Sequence, residues 1–373
     1  MIYFDNAATT CPKPGEVIKA MAEALESFGN PARGAHQAAL AAGRKVEECR
    51  SRLATLFNCP DPGRIAFTKN VTEALNIAVT SIKGHIVTSE AEHNSVLRPV
   101  FRQGNFSLAP VDEKGRYQAR DVAGAVTAET RAVVLAQASN LTGNLAPIEE
   151  IGDLCRKKNL LFIVDAAQTA GLFEIDMQAM GIDALCFTGH KSLYGPQGTG
   201  GICLSPRFTP TPLAVGGSGS HSFDSSQPPE LPELLEAGTL NAHGLAGLNA
   251  GLEYIEKCGR ALESKTTELA GRFYDTVRNI KEVIFYGDYL SPRRAPIVTL
   301  NIGRRPAEEI SQILEDNYGI AVRAGAHCAP LLHRRFKTER QGAVRFSFSS
   351  FNRLDEIDLA AEALKKISEI PGF

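Results

Sequence analysis

The sequence predicts an α/β protein organised around a mostly parallel sheet with helices on both faces, followed by a smaller α/β unit. Two patterns carry this expectation. Short, continuously apolar runs recur through the middle of the chain, and amphipathic helical segments separate them. Strands buried on both faces appear as unbroken apolar runs, and parallel neighbours need a crossover that is usually a helix. Of 373 residues, 43% are hydrophobic and 22% charged, which is a globular composition in a chain long enough for two or three structural domains.

The elements follow in order. "RIAFT" (64–68) is a strand leading into the helical "VTEALNIAVTSI" (71–82), and "HIVTS" (85–89) and "AVVLAQAS" (132–139) are strands. "PIEEIGDLCRKKN" (147–159) places proline near its first position, acids in the first turn and bases in the last, all of which suit a helix. "LLFIVDAA" (160–167), "DALCFT" (183–188) and "GGICLS" (200–205) complete the strand series. Residues 206–239 are rich in Pro, Gly and Ser and form a long irregular connection, a type that is usually functional. A long helical stretch then covers about 243–280, before the smaller α/β unit.

Bulk properties exclude several function classes. The net charge is −2 with no basic block, so neither nucleic acid nor an anionic membrane is an expected partner. No apolar run reaches about 18 residues, and "MIYFDNAATTCPKP" has no secretory pattern, so the expectation is a cytoplasmic enzyme. Eight cysteines (11, 49, 59, 155, 186, 203, 258 and 328) are scattered without a C-x-x-C pair, which argues against a zinc ribbon or a disulfide framework. No metal site is expected. Cys155, Cys186 and Cys203 fall in apolar periodic runs and are expected in the core.

The chemistry centres on "CFTGHKSLYGPQGTGGICLS" (186–205), where Lys191 lies between an apolar run and a glycine-rich stretch. A P-loop is excluded because His190 precedes the lysine. A solvated surface lysine is the alternative for Lys191 in isolation. Other strand ends, however, carry complementary groups: Asp165 and Gln168 in "FIVDAAQ", Thr188 and His190 in "FTGHK", Thr72 at a helix start, His93 in "EAEHNS" and Asn140 in "LAQASNLTGN". Ligands of α/β sheets bind at strand carboxyl ends, and a helix N-terminus suits an anion. An amine, a carboxylate, a ring and an anion cup together match the requirements of pyridoxal 5′-phosphate.

These fragments resemble the class V aminotransferase-type, fold type I pyridoxal-phosphate enzymes, and among them the cysteine desulfurase and selenocysteine lyase family. The resemblance runs from "YFDNAATT" through "RGAH", "FTKNVTEALN", "EAEHNS", "VDAAQ", "TGHKSLYGPQGTGG" and "EAGTLN" to "RAGAHCAP" and "VRFSFSSFN". It implies a large domain (residues 16–259) with a mainly parallel seven-stranded sheet, and a small domain made from residues 1–15 and 260–373. It implies that Lys191 holds the cofactor covalently and later acts as base, that Asp165 pairs with the ring nitrogen, that Gln168 meets the ring hydroxyl and that His93 stacks on the ring. Val71, Thr72, Thr188 and His190 are the implied phosphate binders, with Thr239 reaching the phosphate across a homodimer interface. Asn140, Arg345, Arg323 and His36 are the implied substrate binders. For two of these there is a structural alternative, since Thr239 has the setting of a helix N-cap signal and His36 that of a histidine at a helix start.

Cys328, in "RAGAHCAPLLHRR", selects the reaction. It lies among turn-forming residues with Arg323, His327, His333, Arg334 and Arg335 nearby in sequence, and positive neighbours favour a thiolate. The resemblance implies that this cysteine takes sulfur from L-cysteine as a persulfide, releasing alanine, and that an acceptor protein removes the sulfur for uses such as iron–sulfur cluster assembly. "RAGAHCAP" resembles the SufS-like group, from which Ala326 and the Asn70–Val71 phosphate loop depart. A selenocysteine lyase, another β-lyase or aminotransferase of this fold, and a non-catalytic sulfur-carrier scaffold are the alternatives.

Overall fold

The computed structural model describes residues 1–31 and 34–370. Its main sheet has seven strands in the order Ile65–Thr68, Gly200–Leu204, Ala184–Thr188, Leu161–Asp165, Thr130–Ala136, His85–Ser89 and Phe106–Ala109. Gly200–Leu204 is antiparallel to both neighbours, and the other six strands run one way.

The alternation hidden in the apolar runs explains why both faces are covered. Val133, Leu135, Phe162, Val164, Leu185 and Phe187 point to one side, where they join Val46, Leu53, Ile151, Leu245 and Leu248 from helices. Ala132, Val134, Ile163, Ala184, Cys186 and Ile202 point to the other, against Ala74, Leu75, Val96 and Val100. Successive strand residues face opposite ways, so a run of four apolar residues supplies two cores. Cys155, Cys186 and Cys203 are buried as expected, and all eight cysteines are free thiols.

A further core lies around a four-stranded antiparallel sheet ordered Arg323–Gly325, Ala343–Ser347, Ile297–Ile302 and Val283–Phe285. Phe273, Ile310, Ile357 and Leu364 pack there from helices, together with Phe4 from the first residues of the chain. Ile2–Tyr3 pairs in parallel with Ile320–Ala321. Among the described residues, no helix is long and apolar enough to cross a membrane.

Two expected elements end differently. The stretch 243–280 forms two helices, Ala242–Cys258 and Ala261–Val277, because Gly259 (φ 54°, ψ −141°) takes a backbone conformation suited to glycine and donates its amide to the Ile255 carbonyl, ending the first. The strand expected over 132–139 stops at Ala136, and its continuation turns through Ser139 and Asn140 toward a bridge between Ala138 and Leu145. The 206–239 connection is irregular as expected, but its C-terminal part is pinned. The Arg50 guanidinium donates to both carboxylate oxygens of Glu236 at 2.9 and 3.1 Å, and the Phe67 amide donates to the same carboxylate. Arg50 also lies over the Phe67 ring, 4.6 Å from its centroid.

Both side chains of that pair are buried, at 2% and 7% exposure. Removing Glu236 leaves the buried Arg50 guanidinium only the exposed Glu47 carboxylate, which meets its Nε at 3.2 Å, and no partner for its two terminal nitrogens among carboxylates. Glu236→Ala is therefore expected to lower unfolding free energy by about 3–5 kcal/mol in urea titrations. A loss below about 1 kcal/mol would mean that the pair behaves like an exposed one.

Candidate active site

Strand register assembles the site. Ala136 pairs with Asp165, Asp165 with Cys186, Thr188 with Gly200 and Gly200 with Thr68. The carboxyl ends of the parallel strands and the start of the antiparallel one therefore lie on the same edge of the sheet, beside a cavity of about 300 Å³. Gly200 permits this closeness: a Cβ there would meet the Asn70 Cα at 2.8 Å and the Phe187 carbonyl at 2.8 Å.

At one end of the cavity the helix Val71–Thr80 begins. Asn70 is its N-cap, with its side-chain oxygen accepting from the Glu73 amide at 3.0 Å, while Glu73 accepts from the Lys69 amide at 2.8 Å. The first amides of a helix lack intrahelical acceptors. With the Glu73 amide capped, those of Val71 and Thr72 remain beside the cavity that both residues line. Asn70, a departure noted in the sequence, thus closes the helix end and leaves the anion cup intact. Thr188 and His190 line the same cavity. His190 Nδ1 is buried without a partner, and burial together with Lys191 and Lys13 pushes the ring down to about 4.

Lys191 follows the strand Ala184–Thr188 and is half-buried at the cavity floor. Desolvation pushes its ammonium down to about 8; Asp165 opposes that shift, and Arg345 and Arg323 add to it. A lysine so placed exposes free amine near neutrality. The peptide before it is tied down by the N-terminal segment: the His190 carbonyl accepts from Lys13 Nζ at 2.6 Å, Thr9 Oγ1 at 3.1 Å and the Thr10 amide at 3.1 Å.

Asp165 is 4% exposed and accepts from the Ala167 amide at 2.8 Å. Burial raises its pKa despite that bond and the nearby Lys191. A cation delivered beside it would relieve the desolvation penalty. Gln168 lines the cavity and donates to the Ala7 carbonyl at 3.2 Å.

His93 caps the helix Asn94–Gln103, with its Nδ1 accepting from the Ser95 amide at 3.0 Å. Burial, then Lys191 and Arg345, push it down to about 4, so it is neutral at pH 7. A neutral ring whose Nδ1 accepts a backbone N–H carries its hydrogen on Nε2.

Arg345, from the strand Ala343–Ser347, is 3% exposed. One terminal nitrogen donates to the Asn140 carbonyl at 3.0 Å and the other to Asp5 at 2.8 Å, while Nε is buried without a partner. Asp5 is also 3.8 Å from Arg323, so one carboxylate faces two cavity arginines. The side-chain nitrogen of Asn140 donates to the His327 carbonyl at 2.7 Å, and its Oδ1 has no partner.

Cys328 is exposed and lines the cavity. Both His327 (φ 49°) and Cys328 (φ 55°) are left-handed, a conformation that L-residues hold only under tertiary constraint. The constraint is visible: Asn140 holds the His327 carbonyl, and the Asn94 amide donates to the Cys328 carbonyl at 2.8 Å. The positive surroundings expected from sequence are thinner in space. Arg334 faces Glu339, and Arg335 donates to the Asp112 carbonyl. His333 is buried against Thr338, and His327 donates from Nε2 to the Ala343 carbonyl. Of these groups, Arg323 and His327 share the cavity with Cys328.

Two expected residues lie elsewhere in the single chain. His36 is an exposed N-cap of the helix Gln37–Phe57, accepting from the Ala39 amide, and Thr239 is exposed on the irregular connection. Neither lines the cavity. Sequence reasoning missed Asp5, Lys13 and Ser95. Asp5 and Ser95 stood inside the quoted "YFDNAATT" and "EAEHNS", but only long-range contacts reveal their partners.

The class-V aminotransferase family model matches residues 2–359. The chain belongs to the class-V aminotransferase family. Enzymes of this family use pyridoxal 5′-phosphate. A probable cysteine desulfurase of Methanothermobacter thermautotrophicus is 33% identical, over 98% of this chain and 94% of that protein. The apo cysteine desulfurase of Thermococcus onnurineus superposes on this class-V chain with TM-score 0.92 at 31% identity, covering 99% and 94% of the two chains. The cysteine desulfurase CsdA of Escherichia coli, in its S-sulfonic acid form, gives TM-score 0.87 at 27% identity, again covering 99% and 94%.

The buried histidines of this class-V protein set its acid response. His327 is pushed down to about 3 by burial and then Arg345. The unfolded chain protonates this residue near the ordinary value of about 6.5 and the native chain does not, so its contribution to stability falls as pH drops from about 6.5 to about 3. Glu92, raised to about 8 by burial, acts in the opposite sense and cancels in a comparison of variants. His327→Gln is expected to flatten the stability slope over this window by about 1.4 kcal/mol per pH unit. Parallel slopes in denaturant titrations would refute a neutral, buried His327.

Proposed function

We propose that this class-V protein is a cysteine desulfurase: it converts L-cysteine and a Cys328 thiol into L-alanine and a Cys328 persulfide. The observation that carries the reading is a constrained, exposed cysteine in the same cavity as a desolvated lysine and a buried aspartate. The close cysteine desulfurase relatives support it.

The cavity fits pyridoxal phosphate on its own features. A buried carboxylate that forms no ion pair among the described residues, an amine whose pKa is lowered to about 8 and an open helix N-terminus match the ring nitrogen, aldehyde and phosphate. When bound, this cofactor supplies an aldehyde for an amine and a ring that accepts the electron pair from the substrate's α-carbon. Lys191 would hold the aldehyde, Asp165 the ring N–H, and Gln168 the ring hydroxyl. Val71 and Thr72, with Thr188 and His190, would hold the phosphate, and Thr239 would reach it from a second subunit.

The chain's own residues divide the remaining work. Arg345 offers its free Nε edge to the substrate carboxylate, with Asp5 and the Asn140 carbonyl fixing the guanidinium plane. Asn140 and Arg323 flank that position. The Lys191 amine would be the base for the substrate's α-proton. His93, with its hydrogen on Nε2, would stack on the ring. The Cys328 thiolate attacks the substrate sulfur: a sulfur–sulfur bond forms, the carbon–sulfur bond breaks, and its electron pair remains with carbon, which takes up a proton. The exposure of Cys328 leaves the persulfide open to an acceptor protein.

The proposal includes a large domain of residues 16–259 and a small one of 1–15 and 260–373, supported by the two separate cores. It also includes a homodimer with shared sites, a cytoplasmic setting and a SufS-like short segment around Cys328. A turnover assay tests the function. L-Cysteine should yield alanine, faster with a reductant that clears persulfide, and borohydride should fix the cofactor to Lys191. In Cys328→Ala, alanine release and protein-bound persulfide should fall to background while the cofactor stays bound. Undiminished alanine formation in that variant would remove Cys328 from the mechanism.

Arg345→Lys keeps the charge but loses the fork. KM for L-cysteine is then expected to rise about 10- to 100-fold, the equivalent of one charged hydrogen bond of ~1.5–3 kcal/mol. A KM within about twofold of wild type would place the substrate carboxylate elsewhere.

A further inference from the structure

We propose that Lys13 is a positioning residue for Lys191, acting through a charged hydrogen bond to the His190 carbonyl. The inference rests on the reading above that Lys191 holds the cofactor aldehyde and serves as base.

A peptide unit is planar, so the direction of a carbonyl fixes the position of the next α-carbon. The His190 carbonyl therefore sets where the Lys191 side chain starts. Three donors converge on that oxygen: Lys13 Nζ at 2.6 Å, Thr9 Oγ1 at 3.1 Å and the Thr10 amide at 3.1 Å. The shortest comes from the charged donor, as charge assistance requires. Around the lysine, the Tyr194 amide donates to the Lys191 carbonyl at 2.9 Å, the Gly195 amide to the Gly189 carbonyl at 2.8 Å and the Gly189 amide to the Thr199 carbonyl at 2.8 Å. Those bonds close the segment 189–199 on itself. The bonds from residues 9–13 attach it to a distant part of the chain.

Lys13 is half-buried, and among the described residues its ammonium makes no ion pair; the partner that answers its charge is the His190 carbonyl. Burial pushes its pKa down to about 8, opposed by Cys11, which still leaves the amine charged at neutral pH. Taking an ammonium out of water without a carboxylate is unfavourable, and a neutral donor would avoid that penalty. What the charge adds is a hydrogen bond roughly twice as strong as a neutral one. The same segment carries Asp5, which meets Arg345 at 2.8 Å and Arg323 at 3.8 Å. Residues 5–13 thus grip the proposed base at one end and the proposed carboxylate-binding guanidinium at the other. Lys13 fixes the end at which the base is held.

The test compares Lys13→Met, Lys13→Gln and Lys13→Arg with the wild type in the full chain, each checked for a cooperative urea transition. The first readout is the rate at which cofactor-free protein combines with pyridoxal 5′-phosphate at Lys191, followed by absorbance and confirmed by borohydride trapping and peptide mass spectrometry. The second is turnover of L-cysteine, resolved into kcat and KM. Lys13→Met and Lys13→Gln are expected to slow the combination and to lower kcat about 10- to 100-fold, the scale for a misplaced reacting group, with KM within about twofold of wild type. Lys13→Arg, which keeps the charge, should recover most of both losses. Thr9→Val, which removes another donor to the same oxygen, should move both readouts the same way and carries the test if the lysine variants do not fold. A combination rate and kcat unchanged in Lys13→Met, or in Thr9→Val where it stands alone, overturn the assignment. Full activity in Lys13→Gln beside a defective Lys13→Met overturns the role of the charge. A wild type that forms no trappable bond at Lys191 overturns the reading of Lys191 and this inference with it.

Discussion

The site depends on one constraint, the register of the parallel strands. Ala136 pairs with Asp165 and Asp165 with Cys186, two residues before Thr188, which pairs with Gly200 and through it meets Thr68. A slip of one residue would turn every side chain to the opposite face. Register is strongly specified here because the alternate residues of each strand feed two different cores, so both registers cannot be buried equally well. The packing that stabilises the sheet is therefore the same packing that places Asp165 and Lys191 in one cavity.

Electrostatics inside that cavity work through desolvation more than through pairing. Burial raises Asp165 and lowers Lys191, His93, His190 and His327. Each of these shifts runs toward the neutral form, which suits a site that must receive a charged ring, a phosphate and a zwitterionic amino acid. Arg345 is the exception, a buried charge that stays charged and is answered by Asp5. Asp5 comes from the first residues of the chain and Arg345 from the antiparallel sheet, so the carboxylate site exists only where that sheet meets the main one.

Cys328 illustrates a different use of packing energy. Two successive left-handed residues are disfavoured by roughly 1–2 kcal/mol each in an L-chain. They persist because Asn140 and the Asn94 amide hold the two carbonyls from the other side of the cavity. Asn140 thereby connects the nucleophile segment to the guanidinium of Arg345 through its own carbonyl. A change on either side of that residue is felt on the other, so substrate position and nucleophile position are mechanically linked.

Local physics determined much of this protein in the sequence itself. Continuous apolar runs, proline and charge placement at helix ends, and polar groups at strand ends act over a few residues and are legible there. The seven-strand α/β plan, Lys191, Asp165, Thr72, His93 and Cys328 were all visible on that basis or through joint motif order. Tertiary structure decided what depends on residues far apart in the chain. It alone paired Arg345 with Asp5, tied Lys13 to the His190 carbonyl, joined Ser95 to Thr72, and dispersed the basic residues expected around Cys328. It also left His36 and Thr239 outside the single chain's cavity. Side-chain direction and partner choice are set by packing across loops whose geometry no short stretch of sequence contains.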